Sequence, residues 1–218
     1  MATSDTVFAG SIPDIYDRLL VPLIFEPYAR DLAERVAATK PRLVLETAAG
    51  TGAVTRALAA SLGDARIVAT DLNQPMLDHA KARQSGNARI EWKQADALAL
   101  PFEDQTFDIV VCQFGAMFFP DKVQGYREAL RVLKPGGRFF FSVWDRIEES
   151  EFADVVIQSL APIFPQDPPR FLARTPHGYC DKNRIREELK AGGFGAFSIE
   201  TVDARSKGSS ARDVATAF

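Results

Sequence analysis

The chain has 218 residues but only two cysteines, two histidines and three methionines. Cys112 and Cys180 lie far apart and neither sits in a Cys-x-x-Cys pair, which argues against a disulfide framework or a zinc site. Both are read as reduced thiols, and no metal is expected. No run of Lys or Arg exceeds two residues and the formal net charge is −3, so no nucleic-acid footprint is visible and an RNA or DNA substrate is disfavoured. No apolar stretch approaches the ~18 residues of a membrane span, and residues 1–15 lack a basic segment followed by an apolar one. These absences lead to the expectation of a cytoplasmic chain with no membrane span. Internal repeats, low-complexity tracts and composition shifts are also missing. A hydrophobic content of 46% suffices for one α/β core. The expected organisation is a single domain over 1–218: a helical cap over 1–40, a cofactor-binding core over 41–145, and a substrate-side insertion with an incomplete C-terminal part over 146–218.

What the chain does contain is concentrated in Arg42-Leu43-Val44-Leu45-Glu46-Thr47-Ala48-Ala49-Gly50-Thr51-Gly52, followed by Ala69-Thr70-Asp71-Leu72. This reads as a buried strand, an acid, a glycine turn, a helix, and a second strand ending in another acid. A glycine turn between a parallel strand and a helix lets a ligand approach the backbone closely. Asp71 lies 19 positions after Gly52 (71 − 52), where a carboxylate can accept both hydroxyls of a ribose. Capping of the helix that begins near Gln74 is the alternative role for Asp71.

Gly50-x-Gly52 with a later acid also belongs to the dinucleotide fingerprint. Two residues weigh against that reading. The third glycine of that pattern, needed for close helix packing beside a pyrophosphate, is Thr55 here. Glu46 at the loop mouth would repel a pyrophosphate and attract the α-ammonium of a methionyl group. Charge complementarity therefore favours S-adenosylmethionine over NAD.

Elements alternate along the chain: strand 43–47, helix 52–62, strand 66–71, helix 74–84, strands 89–94 and 107–113, helix 121–133, strand 138–144. Such alternation implies right-handed crossovers and a doubly wound, mostly parallel α/β sheet. Lys134-Pro135-Gly136-Gly137 fits a type II turn. Ser11–Asp17 and Phe25–Thr39 read as two N-terminal helices able to close over the cofactor. Later segments read as a helix over Glu151–Phe164, a proline-rich loop over Pro165–Pro176, a helix over Asp181–Ala191 and a sixth strand over Gly195–Asp203. Ser209 to Asp213 offers a helix start that is cut off at Phe218.

At this point the chain resembles the class I S-adenosylmethionine-dependent methyltransferases, in particular the quinone-biosynthesis-like, small-molecule branch. The family's first motif, acid-x-Gly-x-Gly-x-Gly, reads Glu46-Thr47-Ala48-Ala49-Gly50-Thr51-Gly52, with Ala48 replacing the first glycine. That alanine is tolerable if its φ is negative. Gln94-Ala95-Asp96-Ala97, Leu100–Val111 and Leu133-Lys134-Pro135-Gly136-Gly137-Arg138 resemble the later blocks, in order, over roughly residues 12–203. The resemblance implies a Rossmann-like methyltransferase fold. The family normally ends on a seventh, antiparallel strand, and none is found, so the expectation is a truncated chain or a strand supplied from elsewhere. An unpaired sheet edge invites association, with a homodimer as one outcome.

By the resemblance, Tyr16, Glu46, Ala48, Gly50, Thr51, Gly52, Asp71, Leu72, Met76, Asp96, Ala97 and Gln113 would line the cofactor. Leu72 and Met76 would pack on the adenine, and Asp96 would accept its amino group while the Ala97 backbone meets a ring nitrogen. Met76 as plain core and Asp96 as a turn former are the alternatives. Tyr16 or Arg18 would reach the cofactor carboxylate. Phe114, Phe118 and Tyr179 would meet the acceptor; Phe114 and Phe118 could wall the sulfonium, which is attracted to π faces. His79 reads as part of a solvated helix face. His177 is the candidate general base, a structural loop histidine being the alternative.

The expected function is transfer of the S-adenosylmethionine methyl group to an O, N or C nucleophile of a small molecule. The alternatives are an NAD-dependent oxidoreductase and a non-catalytic cofactor-binding module.

Overall fold

The computed structural model describes residues 12–217, so the helix start at Ser11, the stretch before it and the final Phe218 lie outside the described residues. Five of the apolar runs become strands: β1 (Leu43–Glu46), β2 (Arg66–Asp71), β3 (Ile90–Gln94), β4 (Phe107–Gln113) and β5 (Leu133–Ser142). They form one sheet in the order β3-β2-β1-β4-β5, every pairing parallel. Val44, Leu45, Ile67, Ala69, Val110 and Val111 are buried, because a parallel sheet is covered on both faces. Along β4 the side chains alternate. Ile109 and Val111 join the cluster formed with the first helices, and Val110 packs with Ala129 and Val132 on the opposite face.

The N-terminal helices are not separate. Ile12–Ile15 (α1) runs into a π-helix over Tyr16–Phe25, which continues as α2 (Glu26–Ala37). The Glu26 N–H donates to the Val21 carbonyl, the i→i−5 step that defines the wider turn. Pro22 lies inside this segment and offers no N–H of its own. π-helical turns are rare, and the short ones inside α-helices are frequently found at functional sites. α2, α3 (Ala53–Ser61) and Leu77 of α4 (Gln74–Arg83) share one face of the sheet; α5 (Lys122–Val132) and α8 (Lys182–Ala191) cover the other. Both α5 and α8 begin as their sequences indicate: Asp121 accepts from the Gln124 N–H, and Asp181 from those of Asn183 and Arg184.

Three expectations change at the C-terminal side. α6 spans Glu151–Leu160 only, and the proline-rich loop holds a short helix, α7 (Phe171–Arg174). Gly195–Asp203 forms no strand. Its apolar alternation is used by side-chain packing instead: Phe197 and Ile199 lean on the aromatic cluster, and Glu200 pairs with Arg35 at 3.0 Å. Among the described residues this segment pairs with no strand of the sheet, which ends at β5. α9 (Ala211–Ala217) ends the described chain.

β5 starts earlier than the spacing suggests. Leu133 already pairs with Phe107, a register shift follows, and pairing resumes at Ile109↔Arg138. The bulge between them is the Lys134–Gly137 turn, with Gly136 at the positive φ of 81° that a type II turn requires. Among the described residues no helix is long and apolar enough to cross a membrane.

Candidate active site

β1 has β2 on one side and β4 on the other, so the strand order reverses there and opens a crevice at the carboxyl ends. Glu46 and Asp71 close the two neighbouring strands β1 and β2 at this crevice. The turn between β1 and α3 carries three left-handed positions at every second residue: φ is +53° at Ala48, +56° at Gly50 and +79° at Gly52. A Cβ on Gly52 would also meet the Trp92 ring at 3.1 Å and the Ala80 methyl at 3.2 Å, whereas one on Gly50 would meet nothing within 4 Å. Gly50 therefore borders open space at the loop mouth.

Asp71 braces this loop. One oxygen accepts the Gly50 N–H at 2.8 Å and the other accepts the Asn73 N–H at 2.8 Å. Burial pushes its pKa up, opposed by these N–H donors. The α4 N-cap position belongs to Asn73, so Asp71 does not cap that helix.

Glu46 is only 2% exposed and accepts the Thr55 hydroxyl at 2.6 Å. Thr55, the residue in place of a third glycine, thus serves to hold Glu46. Desolvation, with the charge of Asp71 adding to it, pushes the Glu46 carboxyl up to about 8. A buried carboxylate with so little compensation fits a cationic group placed beside it.

The remaining positions fall into three groups. Leu72 is 53% exposed beside the crevice, and Met76 is buried in α4. Asp96 is exposed and accepts the Leu98 N–H, so it does form a local turn, while Ala97 is half-buried. Thr51 is buried, and its carbonyl accepts from Arg56. Leu72, Asp96 and Ala97 follow the carboxyl ends of β2 and β3, and Thr51 lies in the turn between β1 and α3.

The second group is aromatic. Tyr16 stacks on Phe25 at 5.1 Å, and burial, with Asp71 and Asp17 nearby, raises its phenol pKa. Phe25 meets Phe114 and Trp144, and Phe114 lies face to face with Trp144 at 3.8 Å. Phe114 has a φ of +52°, and its N–H donates to the Ser142 carbonyl. Gln113 donates through Nε2 to the Phe25 carbonyl at 3.3 Å. His177 sits 6.0 Å from Trp144, ring to ring, and its Nδ1 is 2.8 Å from the Asp145 carbonyl. A carbonyl only accepts, so Nδ1 carries the proton and Nε2 presents a bare lone pair. Burial lowers the His177 pKa, keeping the ring neutral.

The third group has further partners of its own. The Tyr179 hydroxyl is shared between Tyr126 at 2.9 Å and Glu188 at 2.5 Å, where α5 packs on α8, and its ring belongs to the same buried cluster as Phe25 and Phe114. Phe118 faces Phe171 of α7. Arg18 is exposed, with Asp213 of α9 as a charged neighbour.

Ala48 departs from expectation: its φ is positive, not negative. The methyl is tolerated because Gly115 stands opposite; a Cβ there would come within 2.4 Å of the Ala48 Cβ.

Asp17 escaped the sequence reading altogether. Its side chain is 1% exposed and bonds Arg56 of α3 at 2.9 Å, Arg83 of α4 at 2.9 Å and His79 at 3.4 Å. Although burial pushes its pKa up, Arg56 and the hydrogen bonds hold the carboxyl below its usual range. His79 therefore faces this cluster rather than a fully solvated face. Nothing in the local sequence links these positions.

Comparison with known proteins agrees with this geometry. Residues 44–137 match a family model described as a methyltransferase domain. A demethylmenaquinone methyltransferase of Clavibacter sepedonicus is 46% identical over 95 residues, 44% of this chain and 38% of that protein. A ubiquinone/menaquinone biosynthesis C-methyltransferase of Acidiphilium cryptum is 30% identical over 202 residues, 87% of this chain and 80% of that protein. The chain belongs to the class I S-adenosylmethionine-dependent methyltransferases. The fold agrees with a solved structure from Methanococcus maripaludis described as a candidate S-adenosyl-L-methionine-dependent methyltransferase. Its TM-score is 0.66 at 23% identity, covering 88% of this chain and 86% of that one. Several curated methyltransferases are matched over less than two thirds of their own length, 38% and 56% for two demethylmenaquinone methyltransferases.

Proposed function

We propose that this methyltransferase passes a methyl group from S-adenosylmethionine to an O, N or C nucleophile of a small molecule, as the names of its quinone-biosynthesis relatives suggest. The carrying observation is the pair of buried carboxylates, Glu46 and Asp71, ending adjacent parallel strands over a loop with two left-handed glycines. When bound, S-adenosylmethionine supplies an electrophilic methyl on a sulfonium. Asp71, already fixed by two backbone N–H groups, retains lone pairs for the ribose hydroxyls. Glu46 takes the α-ammonium, whose charge relieves its raised pKa. Leu72, exposed beside the crevice, and Met76 beneath it flank the base, with Asp96 and Ala97 at its edge. Tyr16 closes the crevice from the π segment, and Gln113 faces the methionyl end from β4.

The aromatic cluster of Phe25, Tyr28, Phe114 and Trp144 excludes water from the reacting atoms and aligns the partners. Alignment of this kind can lower a barrier by roughly 7–11 kcal/mol. His177, neutral and with Nε2 bare, removes a proton from a hydroxyl or amine nucleophile where the acceptor carries one.

Calorimetry with S-adenosylhomocysteine tests the reading. The wild-type chain binds it, and Asp71→Ala weakens binding by roughly 30–100-fold, since hydrogen bonds to a charged group contribute about 2–3 kcal/mol. An unchanged dissociation constant in Asp71→Ala rules out the ribose assignment, and no binding by the wild type rules out the function.

A further inference from the structure

Two polar atoms at the carboxyl ends of β4 and β5 are buried without a hydrogen-bond partner among the described residues: Gln113 Oε1 and Ser142 Oγ. Gln113 and Ser142 are register partners, so their side chains leave the sheet on the same face. It is the face covered by the N-terminal helices, for Val111 and Phe140, two residues earlier on each strand, both pack into the cluster built on α2 and α3. The other polar groups of this pair are used. Gln113 Nε2 holds the Phe25 carbonyl, and the Ser142 carbonyl holds the Phe114 N–H next to the Phe114–Trp144 stack. What remains is an acceptor and a hydroxyl, side by side beneath the aromatic cluster. Leaving buried polar atoms unpaired is unfavourable, and in folded proteins each such group is normally satisfied by protein, water or a ligand.

We infer that Ser142 is a specificity residue for the methyl acceptor: its hydroxyl, beside Gln113 Oε1, receives a hydrogen-bonding group of the acceptor. The acceptor is then an aromatic molecule carrying a free hydroxyl or amine, lying beside the Phe114–Trp144 stack with its donor on the two orphan atoms. A molecule with that group capped by a methyl leaves both atoms unpaired and is rejected, because sites built to hydrogen-bond a donor discriminate strongly against analogues that lack it. This inference rests on the methyl-transfer reading above.

The test uses the protein loaded with S-adenosylhomocysteine, whose binding is measured first, so that failure of the methyl-transfer reading is seen separately. Dissociation constants are then measured by calorimetry for 1-naphthol and 1-methoxynaphthalene. The expected result is at least tenfold tighter binding of the naphthol by the wild type, falling below threefold in Ser142→Ala with S-adenosylhomocysteine affinity unchanged. Thermal unfolding of the free protein supplies a second readout: Ser142→Ala melts at or above the wild-type temperature, since it removes an unpaired buried hydroxyl. Equal affinities for the two probes, binding of neither at millimolar concentration, a preference that survives Ser142→Ala, or a melting temperature lowered by several degrees each overturn the inference.

Discussion

Gly115→Ala isolates one contact on which the cofactor loop depends. Gly115 has φ −102°, which any residue adopts, so the substitution imposes no backbone strain of its own. The added Cβ would stand 2.4 Å from the Ala48 Cβ and 2.9 Å from Cys112 Sγ. Ordinary carbon contacts lie near 3.5–4.0 Å, so the two loops must separate by more than about 1 Å. Neither Cβ can rotate away. Overpacking of this kind costs about 1–3 kcal/mol, or roughly 2–12 °C in melting temperature for a chain of this size. Ala48→Gly alone changes little. Relief of the left-handed alanine, about 1–2 kcal/mol, is offset by about 0.4–1 kcal/mol of unfolded-state entropy and by up to ~0.8 kcal/mol of lost methyl burial. The double variant Ala48→Gly/Gly115→Ala should then recover most of the loss, with a coupling of at least ~1 kcal/mol between the sites. Urea denaturation of the four proteins measures this cycle. A Gly115→Ala variant within about 0.5 kcal/mol of wild type, or strictly additive effects, refutes the account of how Ala48 is accommodated.

Glu46 has a folded pKa near 8, above its unfolded value, so its share of stability is fully present below about pH 4.5 and is lost as pH rises toward 8. Glu46→Gln should flatten that loss in thermal melts of the free protein between pH 5 and 8.5 while weakening S-adenosylhomocysteine binding in calorimetry. His177 has the opposite sign. Its depressed pKa means stability is present above about pH 6.5 and falls at lower pH, a fall that His177→Gln should remove from urea titrations at pH 5–7. The same variant should lower turnover far more than cofactor affinity, and equal loss of both defeats the base assignment. Asp17→Asn breaks a buried carboxylate from three partners, of which Arg83 is well solvated and Arg56 and His79 are half-buried, so a cost of about 1–3 kcal/mol is expected. The accompanying change is faster hydrogen exchange over residues 16–25, and unchanged exchange there would show that Asp17 does not tether the π segment.

The chain's own spacing determined the repeating units. Apolar runs of strand length and glycines after the first one specify β1 to β4, α3 to α5 and the Gly50/Gly52 loop, because period, propensity and turn chemistry act between residues close in sequence. The same local signals located Glu46 and Asp71. They failed where long-range packing decides the outcome. Gly195–Asp203 has the alternation of a strand but uses it to pack Phe197 and Ile199 against the aromatic cluster, and the ten-residue π-helix leaves no mark in an apolar period. Only the tertiary structure could bring Asp17 to Arg56 and Arg83, set Gly115 against Ala48, give Thr55 to Glu46 and join Tyr179 to Tyr126 and Glu188. Such pairings join residues from separate elements, and their energies exist only after the sheet has fixed where those elements cross.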